Sequence, residues 1–374
     1  VGSLVAVLVM CLLPNAGSFG MAVSTAMIFG LVSLMFLDTS INMAMQPFKM
    51  MVGDMVNEKQ KGLAYSIQSF LCNAGSLVGF LFPFIFTWIG ISNIAPQGVV
   101  PDSVIYSFYI GAAILILCVI YTTVKVKEMP PAEYAEYHGI TEEEKKEKIN
   151  MVKLLVKAPK AFWTVGLVQF FCWFAFMFMW TYTNGSVAAN VFDAPTVETV
   201  VNGANKVVLD TKSIQYQNAA DWVGVLFAVQ AIGSVLWAVC IPMFKNRKLI
   251  YSLSLVLGGI GFISTYFVHN QYVLFISFLL IGCAWAAMLA LPFTILTNAL
   301  SGGHMGTYLG LFNGTICIPQ IVAATLGGSI LALFTPKGML PPEINMLVMA
   351  GVMLIIGAVC VYLIKETKGE QAKA

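Results

Sequence analysis

A carboxylate, two amides and a proline interrupt an otherwise unbroken apolar stretch between Leu34 and Asp54. At 3.6 residues per turn, Asp38, Asn42 and Gln46 step by four and share one slowly drifting stripe, to which Lys49 returns. Met, Leu, Phe and Ile surround them. An aspartate in the middle of a membrane helix costs about 2.5 to 3.5 kcal/mol on insertion scales, so its presence needs a reason. Either the carboxylate is structural and hydrogen-bonded to a neighbouring helix, or it gains and loses a proton. Pro47 has no N–H for the Met43 carbonyl and predicts a kink beside the stripe.

A second group lies further along. Gln169, Trp173, Phe176 and Trp180 recur at intervals of four, three and four, which places them on one helical face. An amide leading a run of indoles suits a sugar, whose hydroxyls need hydrogen-bond partners while its C–H face stacks on an aromatic ring. The same stripe equally fits packing against lipid or another helix, and Trp180 with Tyr182 fits an interfacial belt. Asn313 and Gln320, seven apart, share a face, with Pro319 just before the second. Their amides need partners, from neighbouring helices or from a ligand. Trp285 near Pro292, and Gln68 with Asn73, present the same two alternatives.

The elements that position these residues follow from composition. Of the 374 residues 59% are hydrophobic and 10% charged, and the mean hydropathy is +0.83, outside the soluble globular range. Apolar segments recur at roughly 1–14, 19–50, 62–91, 104–124, 161–183, 221–243, 249–268, 271–296, 305–334 and 344–364. An all-α, multi-pass membrane protein is therefore expected, with ten segments, the first short. The chain opens at Val1 inside an apolar run with no signal peptide, which predicts a missing preceding part.

The basic residues separate by loop. Seventeen of the 20 fall in alternate loops, and the others are Lys206, Lys212 and Lys337. Lys and Arg are retained in the cytoplasm on insertion, so both ends are expected inside. Four segments precede a polar stretch at 128–160 and six follow it, which predicts a first half at 1–127, a cytoplasmic connection and a second half at 161–374. Thr141 with Glu144 fits a capping box for a helix in that connection. All eight cysteines lie within apolar segments without metal-ligand spacing. His138, His269 and His304 sit in or beside loops, and no nucleophile elbow, zinc motif or phosphate-binding glycine loop is present. These features predict no enzyme activity, no cofactor, no metal and no nucleic-acid partner. Gly306, Gly310 and Gly314, Gly75 with Gly79, and more weakly Gly282 with Ala286 and Ala290 mark candidate helix contacts. The outward stretch at 184–218 is long for a connection and a place for short structure.

With these residues in view, the chain resembles the sucrose and maltose type of proton-coupled sugar symporter, among the glycoside-pentoside-hexuronide symporters of the major facilitator superfamily. The resemblance rests on Asp38, Asn42, Pro47 and Asp54, on Lys61, Asn73, Gly75 and Gly79, and on Val168, Gln169, Trp173, Phe174 and Phe176. Gly282, Pro292 and Phe293, then Gly306, Gly310, Asn313, Pro319 and Gln320, complete the ordered set. It implies the twelve-helix fold of two six-helix halves, of which ten helices remain here and the first two are absent. It also implies proton coupling through Asp38. Two departures bear on which sugar is taken: Lys49 replaces the family's arginine, and Ile41 precedes Asn42 where plant members have paired asparagines.

The resulting expectation is uptake of a maltose- or sucrose-class glycoside by alternating access in the inner membrane of the cell, by a monomer. Asp38 would couple the proton, and Asn42, Gln46, Asn73, Gln169, Trp173, Trp180, Trp285, Asn313 and Gln320 would line the sugar site. The alternatives are sodium-coupled or uncoupled sugar transport, and a transporter-like sugar sensor signalling through 128–160.

Overall fold

The computed structural model describes residues 1–18, 20–91, 100–127, 130, 133, 151–201, 204–300, 305–336 and 338–364. They form α1 (Gly2–Leu12), a 3-10 turn (Leu13–Ser18), α2 (Val23–Met55), α3 (Glu58–Trp88), α4 (Asp102–Lys125), α5 (Met151–Val156) and α6 (Lys160–Asn190). A hairpin of β1 (Thr196–Val201) and β2 (Ala204–Leu209) follows. Then come α7 (Ile214–Cys240), α8 (Arg247–Ser264), α9 (Leu274–Ala299), α10 (Met305–Phe312), α11 (Gly314–Phe334) and α12 (Ile344–Cys360). Among the described residues eight helices are long and apolar enough to cross a membrane, and a ninth apolar helix, Gly2–Gly17, is shorter. The chain is a multi-pass, helical membrane protein, since only structures that satisfy their own backbone groups cross a bilayer. Residues 134–150, with Thr141 and Glu144, lie outside the described set.

Two compact units are present, Val1–Val56 with Val78–Lys145, and Asn57–Leu77 with Lys146–Ala374. In the first, α1 packs against both α2 and α4. Ser33 and Ser40 are the buried polar residues of α2 among the described side chains, and a Cβ on Gly2 would stand 3.0 Å from the Ser40 carbonyl oxygen. The Asn15 amide donates to the Cys11 carbonyl at 2.8 Å and to the Tyr109 hydroxyl at 2.7 Å, tying the end of α1 to α4. α2 remains helical through Pro47 as far as Met55.

In the second unit α9 is the central element: α7 and α8 pack along it, and α6 meets it, α11 and α12. The close approaches occur at small residues, because contact between backbones replaces the hydrophobic drive that lipid withholds. A Cβ on Gly282 would collide with the Gln230 carbonyl oxygen of α7, and one on Gly233 would stand 2.5 Å from the Leu279 carbonyl oxygen of α9. The Ser234 hydroxyl donates across the same contact to the Gly282 carbonyl at 2.7 Å. Gly258 meets Ala284, and Gly259 and Gly351 face each other.

Of the spaced glycines Gly282 makes a close contact, and the others differ among the described residues. Among the described residues a Cβ on Gly75, Gly79 or Gly310 would meet no atom within 4 Å, and one on Gly314 would meet only Ile318 of its own helix. Gly282→Ala should therefore force α9 from α7 and cost about 1 to 3 kcal/mol, the usual overpacking penalty. Gly310→Ala should be neutral or slightly stabilising. Thermal unfolding in detergent compares the two, and equal damage by both would contradict the packing described.

Two boundaries differ from the sequence expectation. α6 continues to Asn190 and stops where Asp193 turns the chain at φ 49°, with Phe192 N–H reaching the Val187 carbonyl at 3.2 Å and Ala194 N–H the Ala188 carbonyl at 2.9 Å. α7 starts early because Ser213 caps it, its hydroxyl accepting from Tyr216 N–H at 3.3 Å. Between these ends β1 and β2 pair antiparallel from Thr196↔Leu209 to Val201↔Ala204, so an otherwise all-α chain carries a hairpin on the expected outer side.

The segment predicted at 305–334 is two helices meeting at Asn313, a turn and a half before Pro319. At the joint Ile316 N–H bonds the Asn313 carbonyl at 3.0 Å instead of the carbonyl one residue earlier. The Phe312 carbonyl accepts from the Thr315 hydroxyl at 2.7 Å. On the expected inner side, the Tyr308 hydroxyl donates to the Leu154 carbonyl at 3.3 Å and holds α5 against α10.

Candidate functional site

In the first unit, Asp38 and Asn42 stand on the α2 face turned away from Ser33 and Ser40. The Asn42 amide donates to the Asp38 carboxylate at 3.2 Å and to the Asp38 carbonyl at 2.9 Å, so the predicted stripe is a bonded pair. Asp38 is exposed in this unit and Asn42 half-buried. Lys49 is half-buried on the same helix. The side chains of Gln46, Asp54 and Lys61 lie outside the described set.

The second unit gathers the aromatic stripe around Trp285 of α9. Its ring lies 5.7 Å from Trp173, 4.8 Å from Phe176 and 5.7 Å from Trp180, centroid to centroid. Trp173 and Trp180 are 6.4 Å apart, and the angles run from 45° to 83°, edge-on or tilted as ring quadrupoles prefer. Trp180 stays 43% exposed, which leaves part of the cluster open. The Trp173 indole N–H is buried without a hydrogen-bond partner.

Proline chemistry explains the amide beside it. Pro292 has no N–H, so the Met288 carbonyl four residues earlier loses its helical partner. The Gln169 side chain of α6 fills the gap, its amide donating to that carbonyl at 2.9 Å. Gln169 is 1% exposed, and its amide oxygen has no partner. One N–H of the Gln169 amide is thus committed to the fold, and its oxygen is left to receive a ligand hydroxyl.

Asn73 reaches the same part of α9 through Ser69, a residue the motif reading missed although it lies one turn before Asn73 on the same face. The Asn73 amide donates to the Ser69 carbonyl at 2.6 Å, and the Ser69 hydroxyl donates to the Ala286 carbonyl at 3.3 Å. The Asn73 amide oxygen is buried and unpartnered. Tyr65, two turns earlier, lies with its ring 6.2 Å from Phe293. Gln169, Asn73 and Trp285 therefore converge on residues 285–288.

Asn313 sits at the joint of α10 and α11, its amide 3.8 Å from the Cys317 sulfur and its buried oxygen unpartnered. Gln320 is half-buried one turn past Ile316. Neighbouring parts of α10 and α11 pack on α6, since a Cβ on Gly166 would meet Thr315 at 2.9 Å, with Phe312 close by. Buried polar atoms are nearly always hydrogen-bonded, so the amide oxygens of Asn73, Gln169, Asn184 and Asn313, the Trp173 indole N–H and the Tyr251 hydroxyl, all buried without a partner among the described residues, are unusual. Of these the Trp173 donor and the Gln169 and Asn73 acceptors belong to side chains that meet at residues 285–288, and with the rings there they can hold a molecule that offers hydroxyls and an apolar face.

Apolar spanning helices that enclose aromatic and amide side chains suit a multi-pass membrane transporter. The sequence profile described as Major Facilitator Superfamily matches residues 187–374, just over half of the chain, and the protein belongs to that family. Among solved structures, the E. coli fucose:proton symporter FucP is similar at 14% identity and a TM-score of 0.61, over 96% of this chain and 83% of that one. FucP in its outward conformation gives 13% identity and a TM-score of 0.65, over 96% and 81%. A bacterial homologue of the human lysosomal transporter Spinster gives 16% and a TM-score of 0.50, over 97% and 81%. At these identities the likeness is one of fold. No curated protein matches the sequence.

Proposed function

We propose that this protein is a proton-coupled symporter of a small glycoside or disaccharide of the maltose and sucrose class, working by alternating access in the inner membrane of the cell. The observation that carries the reading is the aromatic cluster of Trp173, Phe176, Trp180 and Trp285 beside unpartnered amide oxygens and an unpartnered indole N–H. A pyranose satisfies both halves of that environment, its C–H face covering an indole and its hydroxyls filling the polar positions. The likeness of fold to a fucose:proton symporter is consistent with a sugar as cargo. Asp38 is the proton carrier in this proposal, with Asn42 holding the carboxylate in place.

Proteoliposomes loaded with an imposed gradient test it. An inward proton gradient should drive accumulation of maltose or sucrose, and a protonophore should collapse it. Accumulation driven by sodium instead would replace the proton with sodium, while counterflow without accumulation would make the transport uncoupled. Binding of the sugar with no movement across the bilayer would support a sensor.

A further inference from the structure

Glu343 is an acid that the transport reading does not use. It stands immediately before α12, on the side that the distribution of lysines places outside, and its side chain makes no capping bond to the first turn of that helix. Its carboxylate lies against the Cα of Gly185 on α6, where a Cβ would collide with both of its oxygens. The neighbouring Tyr182 is buried, its hydroxyl set against Gly327 of α11, where a Cβ would stand 2.6 Å away. Ser186 and Ile344, the residues that follow Gly185 and Glu343, together line a cavity of about 10 Å³ with Asn190, Thr265 and Leu347, at the lower limit for one water.

No base answers this acid among the described residues. On α6 the titratable side chain facing it is the Tyr182 phenol. α8 ends in Ser264, followed by Thr265 and an exposed Tyr266, and α11 ends in Phe334 and Thr335. Beyond α8, His269 is taken up by the Asn190 carbonyl at 3.2 Å. Lys337 lies outside the described set. Burial raises the Glu343 carboxyl from an ordinary 4.5 to about 7.

We propose that Glu343 is a proton-binding side chain whose loaded, neutral form holds the outer ends of α6 and α12 together. The neutral carboxyl fits the half-buried seat on Gly185. The anion needs water and leaves that seat, so the contact loosens as the proton is lost. The sign follows from the raised value in the folded protein. The contribution is complete below 4.5, declines as the pH rises, and is gone above about 7. α6 also carries Trp173 and Trp180, so in its consequence for uptake, which alone rests on the symport reading, external pH acts on the wall of the sugar site through one helix.

The test is thermal unfolding of the full chain in detergent between pH 5.5 and 8.5, for the wild type, Glu343→Gln and Gly185→Ala. The melting temperature of the wild type should fall relative to Glu343→Gln from pH 5.5 to about 7 and run parallel to it above, because only the wild type gives up a proton over that range. Gly185→Ala fills the seat and keeps the carboxylate in water, so its melting temperature should change with pH as that of Glu343→Gln does. Curves for the wild type and Glu343→Gln that are parallel over the whole range overturn the proposal. If Glu343→Gln does not fold, curves for the wild type and Gly185→Ala that are parallel throughout overturn it instead. Loss of sugar uptake at every pH would count against the symport reading and leave this comparison standing.

Discussion

Asp38→Asn should lower sugar accumulation to the level of the outside medium while leaving exchange of sugar for sugar across the membrane. One proton moving through 100 mV supplies about 2.3 kcal/mol, enough for roughly fifty-fold accumulation of a neutral sugar, since each tenfold needs about 1.36 kcal/mol. An amide cannot carry that proton, so the ratio should fall from about fifty to one per 100 mV. The substitution is otherwise mild. The Asn42 amide donates to a carboxylate oxygen of Asp38 at 3.2 Å, and an amide oxygen in its place accepts the same bond. The Asp38 carbonyl keeps its 2.9 Å bond to Asn42 whatever the side chain. Uptake and counterflow of labelled sugar, measured in the same vesicles, separate coupling from transport. Accumulation that survives the change would leave Asp38 as a structural carboxylate held by Asn42, and the coupling group would have to be sought elsewhere.

The sequence made the helices and part of this arrangement legible, for a definite reason. A membrane helix must be apolar over about 20 residues, so both its position and the oddity of a polar residue within it can be read locally. The spacing of Trp173, Phe176 and Trp180 predicts one face, and the rings do share one. Partners on other helices were less visible. Nothing in the sequence says that Gln169 serves the carbonyl left free by Pro292, because the two are 123 positions apart. Glu343 carries no signal in the sequence, because its seat depends on a missing side chain at Gly185 on another helix. The glycines at 310 and 314 mark no contact for the converse reason: spacing records that a backbone can be approached, not that one approaches. Contact depends on the neighbour, and at Gly282 the neighbour is the Gln230 carbonyl. Pro319 is the visible breaker in the segment 305–334, yet the joint falls at Asn313, where the Thr315 hydroxyl takes over the Phe312 carbonyl.

Gln169→Leu should do two separable kinds of damage. The first is to the fold. The Met288 carbonyl, already without a helical partner because of Pro292, loses the 2.9 Å bond from Gln169 and is left buried and unsatisfied, at a cost of about 1 to 3 kcal/mol. The second is to the proposed sugar site, which loses the Gln169 oxygen as an acceptor, and with it about tenfold in affinity, the value of one hydrogen bond of roughly 1 to 1.5 kcal/mol. Adding Pro292→Ala to Gln169→Leu tells them apart. An alanine supplies the N–H that Met288 lacks, and α9 is helical on both sides of the position, so the ladder bond can form and stability should return. Affinity should not, because the acceptor is still gone. Melting temperature and sugar affinity measured on the single and double variants give the answer. If the second change restores both, Gln169 acts on the sugar only by shaping α9. If it restores neither, the free carbonyl of Met288 is not what Gln169 is there to satisfy, and the convergence of Gln169, Asn73 and Trp285 on this turn of α9 needs another cause.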